Sequence, residues 1–157
     1  MSQWFETKVK YDKTLETGAI KAVTEPYLVD ALSFTEAEAR ITEEMQPYIS
    51  GEYTVTAVKK CRFDDIFWND GGDRWFKVKI NMITIDEKTG AEKRTPSFFL
   101  VQASDFQQAL EIFTKGMKGT LFDYEIAQIN ETALMDVFTA NLKETIADKA
   151  ANKASQA

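Results

Sequence analysis

The sequence repeats itself after about 71 residues, and this self-similarity constrains the fold more than any other feature. Trp4-Phe5 recurs as Trp75-Phe76, and Asp65-Ile66-Phe67 recurs as Asp136-Val137-Phe138. The spacing shifts by one residue in the middle of the repeat, which indicates a difference in loop length. We therefore interpret the chain as a duplicated unit whose two copies pack together.

Each copy has the same succession of patterns. Apolar and polar residues alternate over residues 4–11 and 74–86, which is typical of half-buried strands. Glycines then mark turns, at Gly18 and at Gly90, and apolar residues at helical spacing follow later in each copy. The patterns predict an α+β fold: an antiparallel sheet with two helices packed on one face, built from two strand-strand-helix-strand repeats.

The repeats also predict the domain organisation. Residues 1–138 are expected to form a single duplicated domain, with repeat one at about 3–70 and repeat two at about 74–138. Residues 139–157 form a tail rich in Ala and Lys, which we expect to be partly helical or disordered.

The composition excludes several classes of enzyme. The 157 residues include no histidine, and Cys61 is the only cysteine. A Ser-His-Asp nucleophile, a histidine or thiolate zinc site and an internal disulfide are therefore impossible. Since no motif nominates another catalytic group, we expect a protein that is not an enzyme and that uses no metal and no cofactor.

The location of the protein can also be predicted. The N-terminus lacks a basic segment followed by an apolar run, and no stretch of about 18 apolar residues occurs. A lone cysteine is compatible with a reducing compartment. We expect a cytoplasmic protein without a membrane partner.

The best candidate binding surface is the sheet face opposite the helices. In the first strand of each copy, this face begins with a tryptophan and continues with lysines. Aromatic rings among ammonium groups suit single-stranded nucleic acid, because bases stack on rings and lysines follow the phosphates. The candidate ligand-binding residues are Trp4, Lys8, Lys10, Trp75, Lys77 and Lys79, extended by Lys59 and Arg62.

Other readings of this face remain open. A net charge of −6 and a pI near 4.8 are unusual for a nucleic-acid binder. The same face is also compatible with ordinary solvation, or with a homodimer interface in a protein-interaction or assembly module. A third reading is a sequestering protein that holds a small anionic metabolite or nucleotide between the copies by Lys and Tyr side chains.

Several segments carry a resemblance to a known family. They are the run VTEPYLVDALSFTEAEAR at residues 23–40, SGE at 50–52, DRWFKVK at 73–79 and LVQASD at 100–105. Over residues 3–138 the chain resembles a family of small proteins from Bacteroides-type bacteria and their phages, known as domain of unknown function number 4494. The resemblance implies a cytoplasmic protein associated with a phage or mobile element, and it transfers no catalytic residues.

Overall fold

A computed structural model describes residues 3–139 of the chain, which form eight strands and two helices. The strands are β1 (Gln3–Thr14), β2 (Ile20–Ala31), β3 (Tyr53–Cys61), β4 (Asp65–Phe67), β5 (Arg74–Ile85), β6 (Glu92–Ala103), β7 (Asp123–Glu131) and β8 (Asp136–Phe138). The helices are α1 (Phe34–Met45) and α2 (Phe106–Gly116). The predicted α+β class is confirmed, whereas the predicted tail lies, except for Thr139, outside the described residues.

The described chain divides into two compact units. Unit 1 comprises residues 3–61 and 135–139, and unit 2 comprises residues 62–134. Each unit has one helix and one four-stranded sheet, with the order β3-β1-β2-β8 in unit 1 and β4-β6-β5-β7 in unit 2. The structure thus has two sheets where the sequence predicted one, and each sheet is mixed because its short outer strand runs parallel to its neighbour.

The two sheets have the same topology, but each takes its short strand from the other repeat. β4 lies at the end of repeat one and pairs with β6 of repeat two. β8 lies at the end of repeat two and pairs with β2 of repeat one. The boundaries of the units therefore differ from those of the sequence repeats, at residues 62–70 and 135–138.

Turns and caps at equivalent positions define the long hairpins and the helices. Gly18 and Gly90 have φ angles of 85° and 71°, which a residue with a Cβ adopts only with strain. The Ser33 hydroxyl accepts a hydrogen bond from the Glu36 amide at the start of α1, and the Asp105 carboxylate caps α2 in the same way.

The apolar alternation of β1 and β5 buries one face of each sheet under a helix. In unit 1, Phe5, Val9 and Val29 pack against Ile41 and Met45 of α1. The corresponding core of unit 2 contains Phe76, Val78, Ile80, Val101, Ala109 and Phe113. Within the described chain, neither helix is long and apolar enough to cross a membrane.

Candidate functional site

The predicted Trp and Lys residues lie on the helix-distal faces of two separate sheets. β1 places Trp4, Lys8 and Lys10 on the face of its sheet that points away from α1, because these residues alternate with buried Phe5 and Val9. β5 does the same for Trp75, Lys77 and Lys79 with respect to α2. Strand alternation therefore predicts the correct face of the sheet for these residues in both repeats, although the two rows do not share one sheet.

The lysines of unit 1 are exposed and stand among short neighbours. Lys8 lies between Pro26 and Ala57 in the strand register, and Lys10 lies between Thr24 and Thr54. None of these four neighbours is charged or long enough to cover an ammonium group.

Lys59 and Trp4 complete this surface. Lys59 is exposed on β3, opposite Glu6 of β1, and half-buried Trp4 lies two residues further along β1, opposite Cys61. Neither Lys59 nor the lysines of β1 form an ion pair within the described chain. We refer to Trp4, Lys8, Lys10 and Lys59 as the lysine face.

The row in unit 2 differs because its tryptophan is buried. Trp75 is 2% exposed, and its ring packs edge-to-face against Trp68 with 5.4 Å between the ring centroids. The prediction that this indole lies on an exposed platform is therefore wrong. Lys77 is exposed, with its Nζ 4.7 Å from the centroid of the Phe98 ring, and Lys79 is half-buried.

Arg62 follows directly after β3 and is the first residue of unit 2. Its guanidinium is exposed and pairs with Asp64 at 3.6 Å. Burial alone would raise the pKa of Asp64, but hydrogen bonds from the Ser97 hydroxyl and the Phe98 amide, together with Arg62, outweigh burial and lower this pKa. Among residues 3–139, no group of three or more His, Cys, Asp or Glu side chains is placed to hold a metal ion.

Unit 1 also contains a cavity of about 290 Å³ that the sequence analysis did not anticipate. It lies on the helix side of the sheet, where Met45 ends α1. Its wall contains four aromatic rings, from Tyr11, Tyr27, Tyr48 and Phe138. We refer to it as the tyrosine cavity.

Two carboxylates and one ammonium group also line the tyrosine cavity, from Glu25, Asp136 and Lys13. The Tyr11 hydroxyl donates a hydrogen bond to Glu25 Oε1 at 2.5 Å. The rings of Tyr27 and Phe138 stack with 5.8 Å between their centroids. The cavity thus combines an aromatic wall with an excess of negative charge.

Glu25 and burial both raise the pKa values of Tyr11 and Tyr27. The hydrogen bond to Glu25, followed by burial and the charge of the carboxylate, raises the pKa of Tyr11 to about 12. Burial, followed by the charge of Glu25, raises the pKa of Tyr27 well above its usual value. Both phenols therefore remain protonated at neutral pH.

The raised pKa of Tyr11 predicts a specific loss of stability at alkaline pH. Since Tyr11 ionises near pH 10 in the unfolded chain, the folded state holds its proton more tightly. This contribution is fully present below that pH and is lost as the pH rises to about 12. We expect urea unfolding to show a larger loss of stability between neutral pH and about pH 11 for the wild type than for Tyr11→Phe. Equal losses of stability in the two proteins would contradict the raised pKa of Tyr11.

The fold and these surfaces define a protein of two similar α+β units, each with one helix on a four-stranded sheet. A family model described as "Domain of unknown function (DUF4494)" matches residues 3–140, so the chain belongs to that family, as its sequence resemblance indicated. No curated protein and no solved structure matches the chain.

Proposed function

We propose that the protein is a non-catalytic binding protein whose lysine face contacts single-stranded nucleic acid. The observation that carries this proposal is the exposure of three lysines on one face of the unit 1 sheet, Lys8, Lys10 and Lys59, which form no ion pair with any of residues 3–139. Lys8 and Lys10 are two residues apart on a strand, so their Cα atoms are about 6.8 Å apart along the strand axis. That spacing is comparable to the distance between neighbouring phosphates of an extended strand.

The distribution of charge in unit 1 supports the same orientation. α1, on the opposite face of the sheet, carries Glu36, Glu38, Glu43 and Glu44. A polyanion is therefore repelled from the helix side and attracted to the lysine face. Trp4 at the end of the face offers one ring for base stacking.

Three features make the expected binding weak and strongly salt-dependent. The chain has a net charge of −6, and Glu6 lies opposite Lys59 on the same face. Buried Trp75 removes the second stacking ring that the sequence suggested. The affinity should therefore come mainly from the release of counterions by a few lysine–phosphate contacts.

Reversing the charge of Lys8 and Lys10 tests this proposal. We expect Lys8→Glu/Lys10→Glu to weaken the binding of a labelled single-stranded oligonucleotide at low salt by about tenfold. The slope of log K against log salt should fall by about 1.4, since each lost phosphate contact contributes about 0.7 on a single strand. Fluorescence anisotropy at several salt concentrations measures both quantities.

The matched control is Lys115→Glu/Lys118→Glu, which changes the net charge equally at the end of α2. If both double variants weaken binding equally, the effect is one of net charge and the lysine face is not the site. Absence of salt-sensitive binding by the wild type at micromolar protein would end the proposal. Light scattering on the same samples tests the competing homodimer interpretation.

A cytoplasmic location and an association with a phage or mobile element complete the proposal. The location rests on the single cysteine, which suits a reducing compartment. The association rests on the sequence resemblance alone.

A further inference from the structure

The two units differ in chemistry at equivalent positions around the tyrosine cavity. Both units have the same strand register, so each residue of one sheet has a counterpart in the other. Three positions on the helix side of the hairpin have ionisable side chains in unit 1, whereas their counterparts in unit 2 have side chains without an ionisable group. They are Tyr11, Glu25 and Tyr27 in unit 1, and Met82, Ser97 and Phe99 in unit 2.

One ring stack beside these positions is the same in both units. Tyr27 stacks on Phe138 with centroids 5.8 Å apart and an interplanar angle of 19°. Phe99 stacks on Phe67 with centroids 5.8 Å apart and an angle of 18°. Unit 2 therefore forms this fold without a tyrosine–carboxylate cluster, so the fold itself does not require the cluster of unit 1.

The charges around the tyrosine cavity favour a cation. Glu25 and Asp136 contribute two negative charges, and Lys13 at the exposed end of β1 contributes one positive charge. The α1 helix ends at the cavity with Met45 and has no basic residue in its last turn. Its C-terminal carbonyls thus add to the negative potential. In contrast, α2 has Lys115 in its last turn.

The lining of the tyrosine cavity favours an organic cation over a hydrated metal ion. Faces of aromatic rings attract cations that shed water readily, and rings of this kind form the walls of sites for quaternary and methylated ammonium groups. Met45 and Met135 add polarizable apolar surface to the wall. A volume of about 290 Å³ lies just below the usual range for small-molecule pockets, so the ligand must be small.

We propose that the tyrosine cavity of unit 1 binds a small organic cation with a quaternary or methylated ammonium group. In this site Glu25 supplies the opposing charge, and the rings of Tyr11, Tyr27 and Tyr48 contact the alkyl groups on the nitrogen. The Tyr11 hydroxyl fixes the Glu25 carboxylate by its hydrogen bond, so the negative charge is in place before the ligand arrives. The proposal is independent of nucleic-acid binding, because the lysine face lies on the other side of the sheet.

Choline chloride is the probe for this site, with sodium chloride at equal ionic strength as the reference. The methyl groups of Met45 and Met135 line the cavity, whereas Met82 belongs to the core of unit 2. In methyl NMR spectra, we expect choline to shift the signals of Met45 and Met135 saturably in the low millimolar range and to leave Met82 unchanged. Equal shifts of all three signals, or no saturable shift, would overturn the proposal.

Variants separate the roles of charge and rings. Glu25→Gln should weaken choline binding by about tenfold, because it removes one charge from a partly enclosed site. Lys13→Met should tighten binding, because it removes the one opposing charge. Glu125→Gln in unit 2 is the matched control and should leave the affinity unchanged. Unaltered binding in Glu25→Gln would overturn the proposal.

The chain itself offers a variant that removes the site and retains the fold. Tyr11→Met/Glu25→Ser/Tyr27→Phe gives unit 1 the residues that unit 2 already accommodates. We expect this variant to fold, as judged by circular dichroism, and to lose choline binding. Ethanolamine, a primary ammonium, should bind the wild type more weakly than choline. A preference for ethanolamine would overturn the assignment to an alkylated ammonium group.

Discussion

Replacing Phe113 with alanine is expected to lower the free energy of unfolding by about 3–5 kcal/mol. Phe113 is fully buried on α2, where its ring lies 5.6 Å from the Phe67 ring, 5.4 Å from the Phe99 ring and 6.3 Å from the Tyr124 ring, centroid to centroid. These three residues come from β4, β6 and β7, so one side chain holds the helix against three strands. Alanine would remove the transfer energy of the ring and leave a cavity that rigid aromatic neighbours fill poorly.

Urea unfolding followed by tryptophan fluorescence measures this loss, because Trp75 is buried in the same unit. Phe106→Ala is the matched control, since Phe106 begins the same helix but is 54% exposed. Its expected cost is below about 1 kcal/mol. Phe113→Leu should cost less than Phe113→Ala because it leaves a smaller cavity. Similar costs for the alanine variants of Phe113 and Phe106 would contradict this account of the core.

The long hairpins and the helices follow from local signals in the sequence. Alternation over β1 and β5 predicted which side chains face the helix, and Gly18 and Gly90 supplied the turns with positive φ. These signals act over a few residues. The strands, turns and helices of each repeat can therefore be predicted without knowledge of the rest of the fold.

The division into two sheets could not be predicted from local sequence patterns. β4 and β8 each have three residues, which is too short for a periodic pattern. Their partners are far away in the sequence, since Asp65 pairs with Phe99 and Asp136 pairs with Tyr27. Only the tertiary arrangement shows that each of these strands belongs to the sheet of the other repeat.

The burial of Trp75 was unpredictable for a related reason. Alternation places Trp75 correctly on the same face as Lys77, but alternation does not tell whether that face is covered at a given point. The chain after β4 brings Trp68 against the Trp75 ring. A contact of this kind depends on the course of a loop, which local patterns do not specify.

The tyrosine cavity left a signal in the sequence that the comparison of the repeats could have found. The strand alternation over residues 4–11 includes Tyr11 without distinguishing it, and it does not reach Glu25 or Tyr27. The hairpin register places Val9 opposite Glu25 and Thr7 opposite Tyr27, so the cluster forms on one face. The two repeats share most apolar positions but differ here. Positions where duplicated copies diverge in charge are therefore where a second function is best sought.

Removing the guanidinium of Arg40 is expected to have the second large effect on stability. Arg40 Nη1 of α1 donates hydrogen bonds to Asp30 Oδ1 at 2.6 Å and to the Asp30 carbonyl at 2.9 Å. The Asp30 side chain is only 5% exposed, and its Oδ2 accepts a hydrogen bond from Thr139 beyond β8 at 2.8 Å. This ion pair thus links the helix, the second strand and the chain after the last strand. Breaking a buried pair from one side leaves the Asp30 carboxylate without this guanidinium.

We expect Arg40→Met to lower the free energy of unfolding by about 3 kcal/mol, near the lower end for buried pairs because Arg40 is itself 16% exposed.

Unit 2 shows that the fold does not need the pair, since Gln102 and Ile112 occupy the corresponding strand and helix positions. The double variant Asp30→Asn/Arg40→Met should therefore be more stable than Arg40→Met alone, because it leaves no buried charge. Urea unfolding of the two single variants and the double variant gives the coupling energy. A double variant no more stable than Arg40→Met would show that the carboxylate does not depend on this guanidinium. The apolar face of α1 and the hydrogen bond from the Tyr53 hydroxyl to the Thr42 carbonyl would then hold the helix to the sheet.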